Sequence, residues 1–73
     1  MLNNKIKKIM IDKNKKQTEL AEYLKITKQE MNRKLNQNKF TLKDLVYICE
    51  AMNIKLVIKD YEIGEIEIRS SDI

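Results

Sequence analysis

The chain has 73 residues, with fifteen Lys plus Arg, eleven Asp plus Glu, no His, no Pro, one Gly and one Cys. That length holds one domain and one small core, Cys49 alone excludes an internal disulfide, and one Cys without His cannot complete a tetrahedral zinc shell. Apolar runs are too short to span a membrane, and the start Met1-Leu2-Asn3-Asn4-Lys5 lacks a signal peptide's apolar stretch, so a reduced, soluble, cytoplasmic protein is expected.

Leu2, Ile6, Ile9 and Met10 follow the helical period, and Asn14 is suited to end that first helix in a left-handed conformation. Leu20, Ala21 and Leu24 mark a second, short helix from about Gln17 to Leu24. Thr27 with Glu30 three residues on reads as a capping box. It opens a third helix, about Lys28 to Asn36, with Met31 and Leu35 inward. Thr41 with Asp44 begins a fourth, in which Leu42, Leu45, Ile48, Cys49 and Met52 form the apolar stripe. Beyond Asn53 the period changes to alternation. Lys55–Lys59 and Glu65–Arg69 read as strands joined by a five-residue connection, with Ile66 and Ile68 on one face and Glu65, Glu67 and Arg69 toward water. The fold class is α+β, mostly α: four helices in residues 1–54, then a C-terminal β-hairpin and tail in residues 55–73, as a single domain.

Charge divides at about the same place. Residues 1–43 carry twelve basic and four acidic side chains, net +8; residues 44–73 carry three basic and seven acidic, net −4. The first part fits a polyanion and the second would avoid one, although compositional drift toward Lys is an alternative source of some of the bias.

Two short helices joined by a tight turn, the second opening on a polar cluster, make the helix-turn-helix pattern. Ala21 is small enough for close helix contact, Ile26 plugs the turn, Thr27 caps the third helix and Met31 anchors it. Lys28, Gln29, Asn32 and Arg33 then remain on the outside, where they form either a solvated helix face or a surface that reaches base edges.

The segment Lys16–Asn36, with Gln17, Leu20, Ala21, Leu24, Ile26, Thr27 and Met31 in frame, resembles the Cro/repressor (XRE-type) helix-turn-helix family of phages and bacteria. Ile48-Cys49-Glu50-Ala51-Met52-Asn53-Ile54 resembles that family's fourth-helix ending, so the likeness runs from about Leu2 to Ile54. It departs at Lys15 and Lys16, where the family has an apolar residue and a capping Ser or Thr, and at Lys25, where it has the turn Gly. The resemblance implies a four-helix lambda-repressor-like domain that binds double-stranded DNA as a transcriptional regulator, with a repressor the expected kind. It also implies Gln17 on a phosphate and Lys28, Gln29, Asn32 and Arg33 on bases. Lys or Arg can pair with guanine, and Gln or Asn with adenine. Lys16, Thr27, Lys39 and Lys43 are grouped with the phosphate contacts.

Lambda Cro dimerises through C-terminal strands. By that analogy, Leu56, Ile58, Ile66 and Ile68 are expected to join two copies, since a lone hairpin is marginal in water. The alternative is a hairpin that covers only its own core. No enzyme is expected, because there is no His, no nucleophile–base set, no Gly-rich phosphate loop and no paired acidic site. No cofactor or small-molecule ligand is evident. The competing reading is a helix-turn-helix fold used for protein contact, as in an antitoxin or an inhibitor of a host enzyme. The remaining features have plain readings: Cys49, Met10, Met31 and Met52 as core, Phe40 between helices, Lys34 toward solvent or a phosphate, and Tyr23, Tyr47 and Tyr61 too scattered to stack bases.

Overall fold

In a computed structural model that describes all 73 residues, four helices precede a hairpin: α1 (Leu2–Asp12), α2 (Gln17–Leu24), α3 (Lys28–Gln37), α4 (Leu42–Ala51), β1 (Leu56–Asp60) and β2 (Gly64–Ile68). A single 3-10 turn, Ser70–Asp72, follows. This is the expected mostly helical α+β architecture. No helix is long and apolar enough to cross a membrane.

A chain with no proline and one glycine still has to stop four helices, and it does so in one way. Asn14, Lys25, Asn38 and Asn53 take positive φ of 54°, 58°, 53° and 56° just past α1, α2, α3 and α4. In each case the next residue donates its N–H to the carbonyl five positions back: Lys15 to Met10, Ile26 to Ala21, Lys39 to Lys34 and Ile54 to Cys49. These are Schellman closures, with Asn in three of the places where glycine is usual. Asn tolerates the left-handed region through its short polar side chain; Lys25 does not, and holds strain of roughly 1–2 kcal/mol.

Helix starts depend on side-chain acceptors. Thr41 accepts from Asp44 N–H at 3.0 Å and Asp44 returns the bond to Thr41 N–H at 2.9 Å, a full capping box. Thr27 accepts from Glu30 N–H at 3.1 Å, but the Glu30 carboxylate turns to Arg33, so the expected box there is only half formed. At α2 the halves are reversed. Lys16 offers no acceptor, and Glu19 reaches back to Lys16 N–H at 3.1 Å and to Lys15 Nζ at 3.5 Å. That backbone bond is the main cause that holds the Glu19 carboxyl below its usual range.

The core joins Ile6 and Met10 of α1, Leu20 and Ala21 of α2, Met31 and Leu35 of α3, and Ile48 and Met52. Ala21 is 2% exposed and Met31 fully buried, as the helix-turn-helix contact requires. Three expectations shift. Leu2 and Leu42 lie outside the core, at 41% and 51% exposure, whereas Val46 is buried. Cys49 is half-buried and lines an apolar groove among α1, α4 and Leu56, where burial pushes its thiol pKa up. Asn3, invisible to an apolar pattern, is buried: its Nδ2 donates to the Leu35 carbonyl and its N–H to Asn38 Oδ1, both at 2.8 Å. Asn38 thereby ends α3 with its backbone and caps α1 with its side chain.

The strands pair antiparallel with Leu56 opposite Ile68 and Ile58 opposite Ile66. The connection is three residues, Tyr61–Ile63, not five. Asp60 Oδ1 accepts from Glu62 and Ile63 N–H groups, and Gly64 closes the turn at φ 107°, a value that L side chains rarely adopt. The four expected apolar positions share one face but not one environment. Leu56 and Ile68 are half-buried; Ile58 and Ile66 are 58% and 51% exposed. Glu67, expected in water, is half-buried and paired with Arg69 at 2.8 Å and Lys55 at 3.7 Å. Past β2 the chain returns to α4, where Ser70 N–H donates to Glu50 at 3.0 Å.

Candidate nucleic-acid interface

A side-chain contact links the starts of the two helices of the motif. Gln17, half-buried at the start of α2, lies with Nε2 3.5 Å from the Lys28 carbonyl in the first turn of α3. That contact ties the start of α2 to the first turn of α3. Lys16 and Thr27, the two caps, are exposed beside it.

Lys28, Gln29, Asn32 and Arg33 are all exposed: Gln29 and Arg33 lie opposite Met31 and Leu35, Asn32 flanks them, and Lys28 stands in the first turn above the buried stripe. They differ in how they are held. Lys28 and Gln29 make no side-chain bond. Arg33 pairs with Glu30 one turn back, and Asn32 Oδ1 accepts from Asn36 Nδ2 at 3.1 Å. Each reaching group is thus bare or held by a solvent-facing partner, with no apolar side chain among them.

Lys34 does not face solvent or a phosphate. Its Nζ lies 2.8 Å from Asp44 Oδ2 in a mostly buried pair that ties α3 to the start of α4. Lys39 lines a hollow with Arg33, Asn38, Phe40 and Thr41, on the path from α3 to the α4 N-terminus. Lys43 is elsewhere: its Nζ sits 5.7 Å from the centre of the Tyr47 ring, beside a second hollow with Lys25 and Tyr23. Tyr23 and Tyr47 are not scattered, for their rings meet edge to face at 6.3 Å. The Tyr23 hydroxyl donates to Glu50 at 3.1 Å, and Ser70 followed by Tyr23 holds that carboxyl below its usual range.

Asp44 gives this scaffold an acid limit. Desolvation raises its pKa, but the bonds from Lys34 and Thr41 outweigh it and bring the value below the ordinary 3.8. As pH falls the unfolded chain takes up this proton first. The contribution is therefore complete above the ordinary value and is lost as pH drops through the lower folded one. In urea titrations Asp44→Ala should lose about 1–3 kcal/mol at neutral pH, and the difference from the parent should shrink toward pH 2. A difference that stays constant from pH 6 to pH 2 would show that the ionised form of Asp44 contributes nothing beyond the neutral one.

An exposed polar recognition helix, set by a buried small residue against a shorter helix within four Schellman-closed helices, defines a helix-turn-helix DNA-binding domain. The sequence profile of the Cro/C1-type HTH DNA-binding domain matches residues 5–57, and the chain belongs to that family. No curated protein and no solved structure matches it. The matched span ends inside β1, so the rest of the hairpin lies beyond the family's common part.

Several residues that shape this surface escape sequence reasoning. Asn36 stands four residues from Asn32, and that spacing was a usable signal. Asn3, Asn38 and Glu50 act across 20 to 35 positions of chain, where no local signal exists.

Proposed function

We propose that the protein is a sequence-specific transcriptional regulator, most simply a repressor, that places α3 in the major groove of double-stranded DNA. The observation that carries this reading is the set of exposed polar side chains on α3, Lys28, Gln29, Asn32 and Arg33, inside the part of the chain with net charge +8. In this reading they contact bases, while Gln17, Lys16, Thr27, Lys39 and Lys43 contact phosphates. Residues 1–54 form the DNA-binding part and residues 55–73 the dimerisation element. Two copies joined by Leu56, Ile58, Ile66 and Ile68 would set their α3 helices about 34 Å apart for successive grooves of a two-fold site. The Ile58–Ile66 pair supports the dimer, because both side chains remain more than half exposed on the single chain.

Selection of random duplexes by the full-length protein tests this directly. A consensus with two-fold symmetry is expected. Failure to enrich any sequence at low salt would favour the protein-contact reading of an antitoxin or enzyme inhibitor. On the selected site, Lys39→Ala and Lys43→Ala should weaken all sequences alike and each lower the salt slope by about one. An unchanged slope would remove that lysine from the phosphate contacts.

A further inference from the structure

One polar chain on the outer face of α3 begins on another helix. Lys7 Nζ of α1 lies 3.4 Å from Asn36 Oδ1, and Asn36 Nδ2 lies 3.1 Å from Asn32 Oδ1. An ammonium has three donors and no acceptor. Asn36 must therefore give its oxygen to Lys7, which leaves its amide N–H groups for Asn32. Asn32 in turn commits its oxygen to Asn36, and its own NH2 group stays unpaired at an exposed position. Of the four side chains read as base contacts, Lys28 and Gln29 are unrestrained and Arg33 is held by a neighbour on its own helix. Asn32 alone is oriented by a relay anchored outside α3.

We infer that Asn36, itself oriented by Lys7, is a positioning residue that decides which end of the Asn32 amide meets the DNA, and so which class of base edge Asn32 selects. The inference rests on the base-reading role proposed above for Asn32. An amide presented NH2-first seeks an acceptor. In the major groove guanine offers N7 and O6 and thymine offers O4, adenine offers an acceptor (N7) and a donor (N6) and so suits either end of the amide, whereas cytosine offers only its N4 donor. Asn32 should therefore favour guanine or thymine over cytosine on the strand it contacts. Reversing the relay reverses the choice. A carboxylate at position 36 has acceptors only; it still satisfies Lys7, but it draws the Asn32 NH2 toward itself and turns the Asn32 oxygen to the groove. Cytosine then becomes the better partner.

The test is selection from random duplexes with the full-length parent, Asn36→Asp, Asn36→Ala and Asn32→Ala, with thermal unfolding of each as a check on folding. Asn36→Asp is expected to invert the preference at one base pair by about three- to tenfold, the size of one hydrogen bond, and to leave the other positions as they were. Asn36→Ala and Asn32→Ala should flatten that same position. The added negative charge lowers affinity for every sequence and cancels from the preference. A purely structural role for Asn36 predicts loss, never inversion. If Asn32→Ala flattens a position that Asn36→Asp leaves unchanged, the positioning role is overturned while Asn32 still reads DNA. If Asn32→Ala changes no position, the base-reading role and the inference fall together.

Discussion

Ile66→Glu is expected to convert the protein to monomers at micromolar concentration and to weaken its binding to a two-fold site far more than to a half-site. Ile66 faces Ile58 across the hairpin, and both are more than half exposed on the single chain. Burying one isoleucine contributes about 1.5–3 kcal/mol, and a two-fold axis counts each substitution twice. Ile66 is half covered already, so loss of its remaining burial in both copies should cost about 1.5–3 kcal/mol of association, roughly ten- to a hundredfold in the dimer constant. Ile66 is a cleaner choice than Ile68, which is half-buried in its own chain, or than truncation after Asn53, which would strip Ile54 and Leu56 from the α1–α4 groove. Sedimentation with and without DNA checks it. A parent chain that remains monomeric in both states, or a variant that associates as the parent does, would end the dimer proposal.

Arg33→Ala should have the largest effect on specificity. A long donor that pairs with guanine O6 and N7 discriminates by ~1–3 kcal/mol, so the substitution should relax one base pair by that amount, and Gln29→Ala should relax a different one. Removal of Arg33 also leaves the Glu30 carboxylate without its cation, and the added net negative charge should lower affinity for all sequences. The ratio between the selected site and its single-base variants cancels that general loss. Equal weakening of every variant would assign Arg33 to the backbone and not to a base.

The helices were legible in the sequence because each has a stripe at helical period and a short-range start or stop. Thr41 with Asp44 and Asn14 at the end of α1 act over a few residues, so local chemistry decided them. The helix-turn-helix frame was legible for the same reason: Ala21, Ile26, Thr27 and Met31 lie within eleven residues, and their sizes dictate the contact. The strand positions were off by one because alternation marks which residues pair but not where Asp60 folds back on the turn.

Local sequence determined that four helices form, where they stop and which side of α3 is polar. Tertiary structure alone decided what that polar side can do. It drew Lys34 inward to Asp44, set Lys39 beside Arg33, and brought Lys7 to Asn36. It also half-buried Leu56 and Ile68 while it left Ile58 and Ile66 more than half exposed. The physical reason is range. Propensity, capping and periodicity act within one or two turns of chain, whereas an ion pair or a hydrogen bond between helices depends on where the core places two backbones, which no local pattern encodes.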